Sequence, residues 1–259
     1  MSSTEPVILE VADFVATVTM NRPPVNATNK ELLDTLTEIF DSFTDRDDVR
    51  AAILTGAGKV FSAGADIKER ATGGNPAPGD RWKNSRRSRE TFHSIVECQV
   101  PVIAAINGPA LGAGLAIAAS CDILLASERG QLGLPEINVG LLGGGRHAMR
   151  LFGHSKTRRM MFTGQRLDGP ELERLGAIEA CVPHEQLMPT ALEFAADIAS
   201  KSPVAMRLAK HSLNAIEEMS LRDGYRFEQG MTGELSKYED SKEAMRAFAE
   251  KRRPVFNGR

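Results

Sequence analysis

Two stretches of small residues mark places where the backbone, rather than side chains, is positioned to do chemistry: Phe61-Ser62-Ala63-Gly64-Ala65-Asp66 and Asn107–Gly114. Each follows an apolar run of strand type and precedes a helix. Glycine and alanine let a ligand approach the main chain, and a helix start offers unpaired N–H groups with partial positive charge. Two such turns directed at one point would hold a developing oxyanion between two donors. A tight turn explains glycine about as well, so each turn alone decides nothing. Neither fits GxxxxGK(S/T) or a clean GxGxxG, which disfavours phosphate-loop chemistry.

The acid/base candidates are few. Glu136 follows Pro135, where a carboxylate also suits the first turn of a helix. His147 and His93 are further candidates, each with the plainer reading of a satisfied structural histidine. Cys98, Cys121 and Cys181 are widely spaced and odd in number. They form no CxxC pair and no metal-ligand cluster, which points to small core residues, no metal and a reducing compartment. Arg81, Lys83, Arg86, Arg87 and Arg89 form a basic cluster, either a solvated helix face or a rim that attracts phosphates.

Composition narrows the class. A chain of 259 residues with 42% hydrophobic and 25% charged residues is long enough to bury one α/β core. A net charge of −2 gives no support for a nucleic-acid partner or an acidic membrane surface. No apolar run approaches the roughly 20 residues that span a bilayer. The start, MSSTEPVILEV, lacks the basic and apolar segments of a signal peptide, so a cytoplasmic protein is expected.

The elements that must position these residues alternate. Strand signals occur at Val7–Val11, Val15–Met20, Val49–Thr55, Pro101–Ile106 and Asp122–Ala126. The proline pair at Pro23-Pro24 ends the second. Asn29 is a candidate cap for a helix over about Lys30–Phe43, where apolar residues recur at helical spacing. Ala71–Asp80, with three Gly and two Pro, reads as a mobile loop, and a polar helix ending near Cys98 follows. This alternation predicts right-handed crossovers and a largely parallel sheet. Beyond Arg146 the pattern turns helical, through Thr157–Thr163, Gly169–Leu175, Glu185–Ser200, Pro203–Met219 and Leu221–Ala249, with one short strand near Ile178–Val182.

Ordered motifs then give a resemblance. Phe61-Ser62-Ala63-Gly64-Ala65-Asp66-Ile67-Lys68, Pro101–Ile106 with Asn107-Gly108, Ala110-Leu111-Gly112-Ala113-Gly114 and Pro135-Glu136-Ile137 resemble the enoyl-CoA hydratase/isomerase (crotonase) superfamily. Asn21-Arg22-Pro23 and Phe248-Ala249-Glu250-Lys251-Arg252 match its two ends, so the resemblance covers almost the whole chain.

The resemblance implies an α/β crotonase fold, a repeated ββα core with a helical C-terminal trimerisation region. The implied division is 1–195 for the core with its coenzyme A and acyl site, and 196–259 for the region that builds a homotrimer or dimer of trimers. It implies an unsaturated acyl-CoA substrate and no prosthetic group, coenzyme A arriving as part of the thioester. The thioester oxygen would be held by the amides of Ala63 and Ala113, with the Gly144 amide at the reacting end and Glu136 as acid/base. Val25, Ala27, Ala63, Asp66 and Ile67 would lie along the coenzyme, with Phe248 and Lys251 reaching its nucleotide end from an adjacent subunit. Asp66 and Asp122 match positions that look structural, as turn and capping carboxylates. The Ala71–Asp80 loop with Trp82 is the segment expected to shape the acyl pocket.

Two departures bear on the reaction. Family hydratases carry a second glutamate where this chain has Ala116, and often a glutamine where it has Leu134. A methyl group transfers no proton, so the two-carboxylate hydration scheme lacks a partner. One carboxylate suffices to move a proton from the α- to the γ-carbon, which is isomerisation; hydration needs another group to supply the second proton. The alternatives are another crotonase-type reaction, thioester hydrolysis or decarboxylation, with His147 or His93 contributing, and a non-catalytic acyl-CoA-binding protein, against which the presence of Glu136 argues.

Overall fold

The computed structural model describes residues 5–72 and 77–258, with the side chains of Arg70, Ala71, Thr72 and Arg81 excepted. In chain order its elements are β1 (Val7–Ala12), β2 (Val15–Met20), α1 (Lys30–Ser42), β3 (Ala51–Gly56), α2 (Ile67–Thr72) and α3 (Asp80–Glu97). Next come β4 (Val102–Ile106), β5 (Pro109–Leu111), α4 (Ala113–Ala119), β6 (Ile123–Ser127), β7 (Gln131–Gly133), a 3-10 turn (Pro135–Val139), α5 (Gly145–Leu151) and α6 (His154–Thr163). The chain closes with β8 (Arg166–Asp168), α7 (Gly169–Arg174), β9 (Ala180–Val182), α8 (Leu187–Ala199), α9 (Pro203–Ile216), α10 (Leu221–Leu235) and α11 (Glu239–Ala249).

Six strands form one sheet in the order β1-β2-β3-β4-β6-β9, with only β1 and β2 antiparallel. All residues of β3 and β4 are buried, as a strand covered on both faces requires. Their side chains alternate between two cores. Ala51, Ile53, Ile103 and Ala105 meet Leu187, Ala191, Ala195 and Ala199 on one stripe of α8. Ala52, Leu54, Val102 and Ala104 face the larger core with Leu32, Leu36 and Phe40 of α1. Asn29 caps α1 as expected, accepting from the Leu32 amide at 3.0 Å and contributing about 1 kcal/mol.

A second sheet, β5-β7-β8, departs from the sequence reading. Its strands are three residues each, too short to give a periodic signal. The β4-β5-α4 segment and the β6-β7 segment with its following turn each give one strand to each sheet, as the expected ββα repeat requires, whereas β1 and β2 both lie in the large sheet. The predicted helix Leu221–Ala249 is two helices, broken at Ser236–Tyr238. The 195/196 division falls inside α8, which packs on the large sheet.

Candidate active site

The two small-residue turns are built by buried amide side chains. Asn26 Nδ2 donates to the Val60 and Ala57 carbonyls at 2.7 and 3.0 Å. Asn107 Nδ2 ties Gly56 and Gly58 at 2.8 and 3.0 Å. Ser62 pairs with Ala110 across a single parallel bridge, with the Leu111 amide donating to the Ser62 carbonyl at 2.9 Å. The turns touch: a Cβ at Gly64, where φ is +86°, would stand 3.2 Å from the Ala113 nitrogen. That position requires glycine for both its φ and its space.

Both turns open onto a cleft of about 1550 Å³, whose lining includes Ala63, Ala65, Asp66, Ile67, Ala113, Ala116, Glu136, Gly144 and His147. The expected Ala63 amide is already in use, donating to the Val25 carbonyl at 3.0 Å. Ala65 is the available donor instead. Thr28 bonds the Gly64 carbonyl and the Asp66 amide, so in this parallel bridge the N–H of Ala65 points the other way. No acceptor meets it among the described residues. Ala113 is the first residue of α4, and its amide has no acceptor there either. Sequence reasoning missed Ala65 because the Val25 acceptor lies far along the chain.

Glu136 sits in the 3-10 turn after β7. A methyl group at Gly112 would overlap its Oε1, and one at Gly143 would lie 3.6 Å from the same atom. Its Oε2 is buried with no hydrogen-bond partner among the described residues. Burial raises the pKa of this carboxyl above the ordinary glutamate value. Gly144 caps α5 with φ +71°, and a Cβ there would press on Leu134 and lie 3.5 Å from the Gly112 carbonyl. Gly112, Glu136 and Gly144 thus meet at one point, one side of which is the Ala113 amide.

Ala116 lies three residues beyond Ala113 in α4, 2% exposed on the cleft wall, and provides only a methyl group. His147 is on the cleft wall as well, its ring 4.8 Å from Phe92 of α3 in an edge contact. Burial, with Arg150, Arg146 and His93 nearby, lowers its pKa and so favours the neutral imidazole. His93 instead borders a separate 220 Å³ pocket with Thr37 and Phe40.

The remaining expected residues divide. Asp66 caps α2 through the Glu69 amide at 3.0 Å and pairs with Arg22 at 2.8 Å, which hold its carboxyl below the ordinary value. Asp122 accepts from the Val102 amide and from Lys210, both at 2.7 Å. Both carboxylates therefore have structural work, as expected. Val25 and Ala27 lie outside the cleft lining, their carbonyls taken by Ala63 at 3.0 Å and Arg22 at 2.9 Å. Phe248 is 87% exposed near the C-terminus, and neither it nor Lys251 lines the cleft of its own chain. Trp82 is 78% exposed and does not line the cleft. Residues 73–76 of the expected loop lie outside the described residues. Of the basic cluster, Lys83, Arg87 and Arg89 line the cleft, Lys83 pairing with Asp80 at 3.6 Å and Arg87 with Asp34 at 2.6 Å, and Arg86 pairs with Glu90. Cys98 and Cys121 are buried and Cys181 is half-buried; burial raises all three thiols.

A family model described as enoyl-CoA hydratase/isomerase matches residues 10–259. The chain belongs to that family. It is an enzyme of the hydratase/isomerase type, and its fold is the crotonase fold that the resemblance implied. The family's short-chain-enoyl-CoA hydratase of Clostridium acetobutylicum is 38% identical over 252 residues, covering 95% of each chain. A Mycobacterium tuberculosis protein, named (7aS)-7a-methyl-1,5-dioxo-2,3,5,6,7,7a-hexahydro-1H-indene-carboxyl-CoA hydrolase, is 37% identical over 238 residues, covering 92% of this chain and 95% of that one. The crystal structure of enoyl-CoA hydratase from Bacillus anthracis has a TM-score of 0.92 at 33% identity, covering 98% of this chain and 100% of that chain. Family membership is therefore firm, while near-equal likeness to a hydratase and a hydrolase leaves the reaction to the residues of the site. No described helix is long and apolar enough to cross a membrane, and no group of three metal-ligating side chains occurs among the described residues.

Proposed function

We propose that this enzyme binds an unsaturated acyl-CoA in the cleft and isomerises it through a thioester enolate. The Ala65 and Ala113 amides hold the thioester oxygen. The Glu136 carboxylate takes the α-proton, the C–H electron pair moves into the enolate, and the negative charge builds on the oxygen between the two donors. Glu136 then returns the proton to the γ-carbon. The carrying observation is the buried, unpartnered Oε2 of Glu136 beside Gly112 and Gly143. A desolvated carboxylate is a stronger base than one in water, and each amide donor is worth about 3 kcal/mol to an oxyanion in comparable sites.

Coenzyme A enters as part of the substrate, along Ala63, Asp66 and Ile67 at the cleft mouth, with Lys83 and Arg87 as cations for its phosphates. Phe248 and Lys251 would meet the nucleotide from a neighbouring subunit. Residues 196–259 are the assembly region in this reading, supported by exposed Leu213, Leu221, Tyr225, Met245 and Phe248. Three free thiols support a reducing compartment such as the cytoplasm.

The test is incubation with 2-enoyl-CoA and 3-enoyl-CoA, followed by product mass and absorbance. Isomerisation leaves the mass unchanged and alters absorbance, whereas gain of a water mass as the main product would replace this reading with hydration. A second reading, hydrolysis of an acyl-CoA, is favoured by the neutral imidazole of His147 on the cleft wall and by the hydrolase relative. Water-dependent cleavage in the same incubations would support it.

A further inference from the structure

Three helices shape the cleft wall, and one C-terminal helix holds their ends together. The last carbonyl of α4, Ala119, accepts a 2.7 Å bond from Arg150 Nη1 of α5. Nε and Nη2 of the same guanidinium are held by both oxygens of Glu217, the C-cap of α9, at 3.0 Å each. Just past α4, Asp122 accepts from Lys210 Nζ of α9 at 2.7 Å. That buried ammonium also donates to the Ile95 and Val100 carbonyls at 3.1 Å, and Asn214 Nδ2 donates to Val96 at 2.7 Å. Ile95 and Val96 close α3, the helix that carries Phe92 against His147.

These bonds place cations at the negative ends of helices, where they stabilise. The geometry does more. α4 has seven residues, so it is a rod of about 10 Å. Its far end carries the Ala113 amide. A displacement at Ala119 therefore moves the amide by a similar amount. Arginine suits this junction because its planar fork serves a carbonyl and a carboxylate at once, which a single ammonium cannot do with the same geometry. The Arg150–Glu217 pair is part-exposed at 24% and 36%, so its share of fold stability is small. Catalysis, in contrast, is steeply sensitive to placement: about 1 Å can cost on the order of a hundredfold in rate.

We propose that Arg150, oriented by Glu217, is a positioning residue that sets how far the Ala113 amide projects into the cleft. This rests on Ala113 being an oxyanion donor. The enolate step is read directly by α-proton exchange of butyryl-CoA in D2O, with affinity for butyryl-CoA measured by calorimetry. Arg150→Met is expected to lower the saturating exchange rate by about tenfold or more, with the dissociation constant changed by less than about twofold. Glu217→Gln, which leaves the Ala119 bond in place, is expected to lower exchange by about threefold, and Arg150→Lys to recover only part of the loss. Asp197→Asn, which breaks an exposed pair between α8 and Lys201 just beyond it, is expected to leave exchange unchanged.

Ala113→Pro deletes the donor at a helix position that tolerates proline. Loss of exchange in Ala113→Pro together with near-normal exchange in Arg150→Met would overturn the positioning role and leave the oxyanion reading standing. Normal exchange in Ala113→Pro, or none in the wild type with butyryl-CoA bound, would overturn both. Should Arg150→Met not fold, Glu217→Gln decides: normal exchange there sinks the proposal.

Discussion

A glutamate with one buried, unpartnered oxygen costs the fold free energy, and in the proposed reaction that same cost would make it a stronger base. Removing the charge should therefore separate stability from activity. Glu136→Gln is expected to lower turnover by about 10²–10⁴-fold, with acyl-CoA affinity largely kept; steady-state kinetics with calorimetry checks this. The folded pKa of Glu136 is raised, so its stability contribution is greatest below the ordinary value of about 4.3 and is lost as pH rises through the folded value. The variant should then melt a few degrees above wild type at pH 7, and the gap should close toward about pH 4. Because the carboxylate is the working form in the proposed reaction, the acid limb of kcat/KM is expected above the ordinary glutamate value, and Glu136→Gln should abolish it. Much at this scale was legible in the sequence: Glu136, Ala113 and Gly144 stood in recognisable motifs, and their junction is where the chain brings them. Ala65 was not, and Ala63 was expected in its place, because whether an amide is free depends on an acceptor at Val25 that no local pattern reveals.

At the scale of elements, α4 carries both what the enzyme has and what it lacks. Ala113 and Ala116 are three residues apart and thus share a face, so a carboxylate at 116 would enter the cleft near the enolate. Ala116→Glu is expected to gain hydration of 2-enoyl-CoA, detected as added water mass, while losing about 1–3 kcal/mol of stability from burying the new charge. Retained isomerisation without hydration would show that position 116 does not limit the reaction. The main strands and α1 were readable from periodicity, and Asn29 from its capping chemistry. The β5-β7-β8 sheet was not, because three-residue strands exist only by pairing with partners distant in sequence.

At the scale of the whole molecule, the C-terminal helices are joined to the core by an ion pair whose ammonium, Lys210, is buried and whose carboxylate, Asp122, is part-exposed. Lys210 is 5% exposed and makes three hydrogen bonds. Lys210→Met should destabilise the fold by about 1–3 kcal/mol, because it leaves the Ile95 and Val100 carbonyls without their donor; a denaturant melt reads this directly. Leu221, at 91%, and Phe248, at 87%, are large exposed apolar side chains that the proposed assembly would cover. A trimer or hexamer is therefore expected by light scattering, and the double change Leu221→Asp with Phe248→Asp should reduce the mass toward that of one chain.

The sequence by itself determined the crotonase fold, the acyl-CoA enzyme class and the absence of a second glutamate at position 116. These reside in residue types and short-range order, which folding does not alter. Only the tertiary structure decided which amide is free, that His147 faces the cleft while His93 does not, and that Arg150 ties α4 to α9. Each of these depends on groups far apart in the chain arriving at one place, and hydrogen bonds between such groups leave no periodic trace.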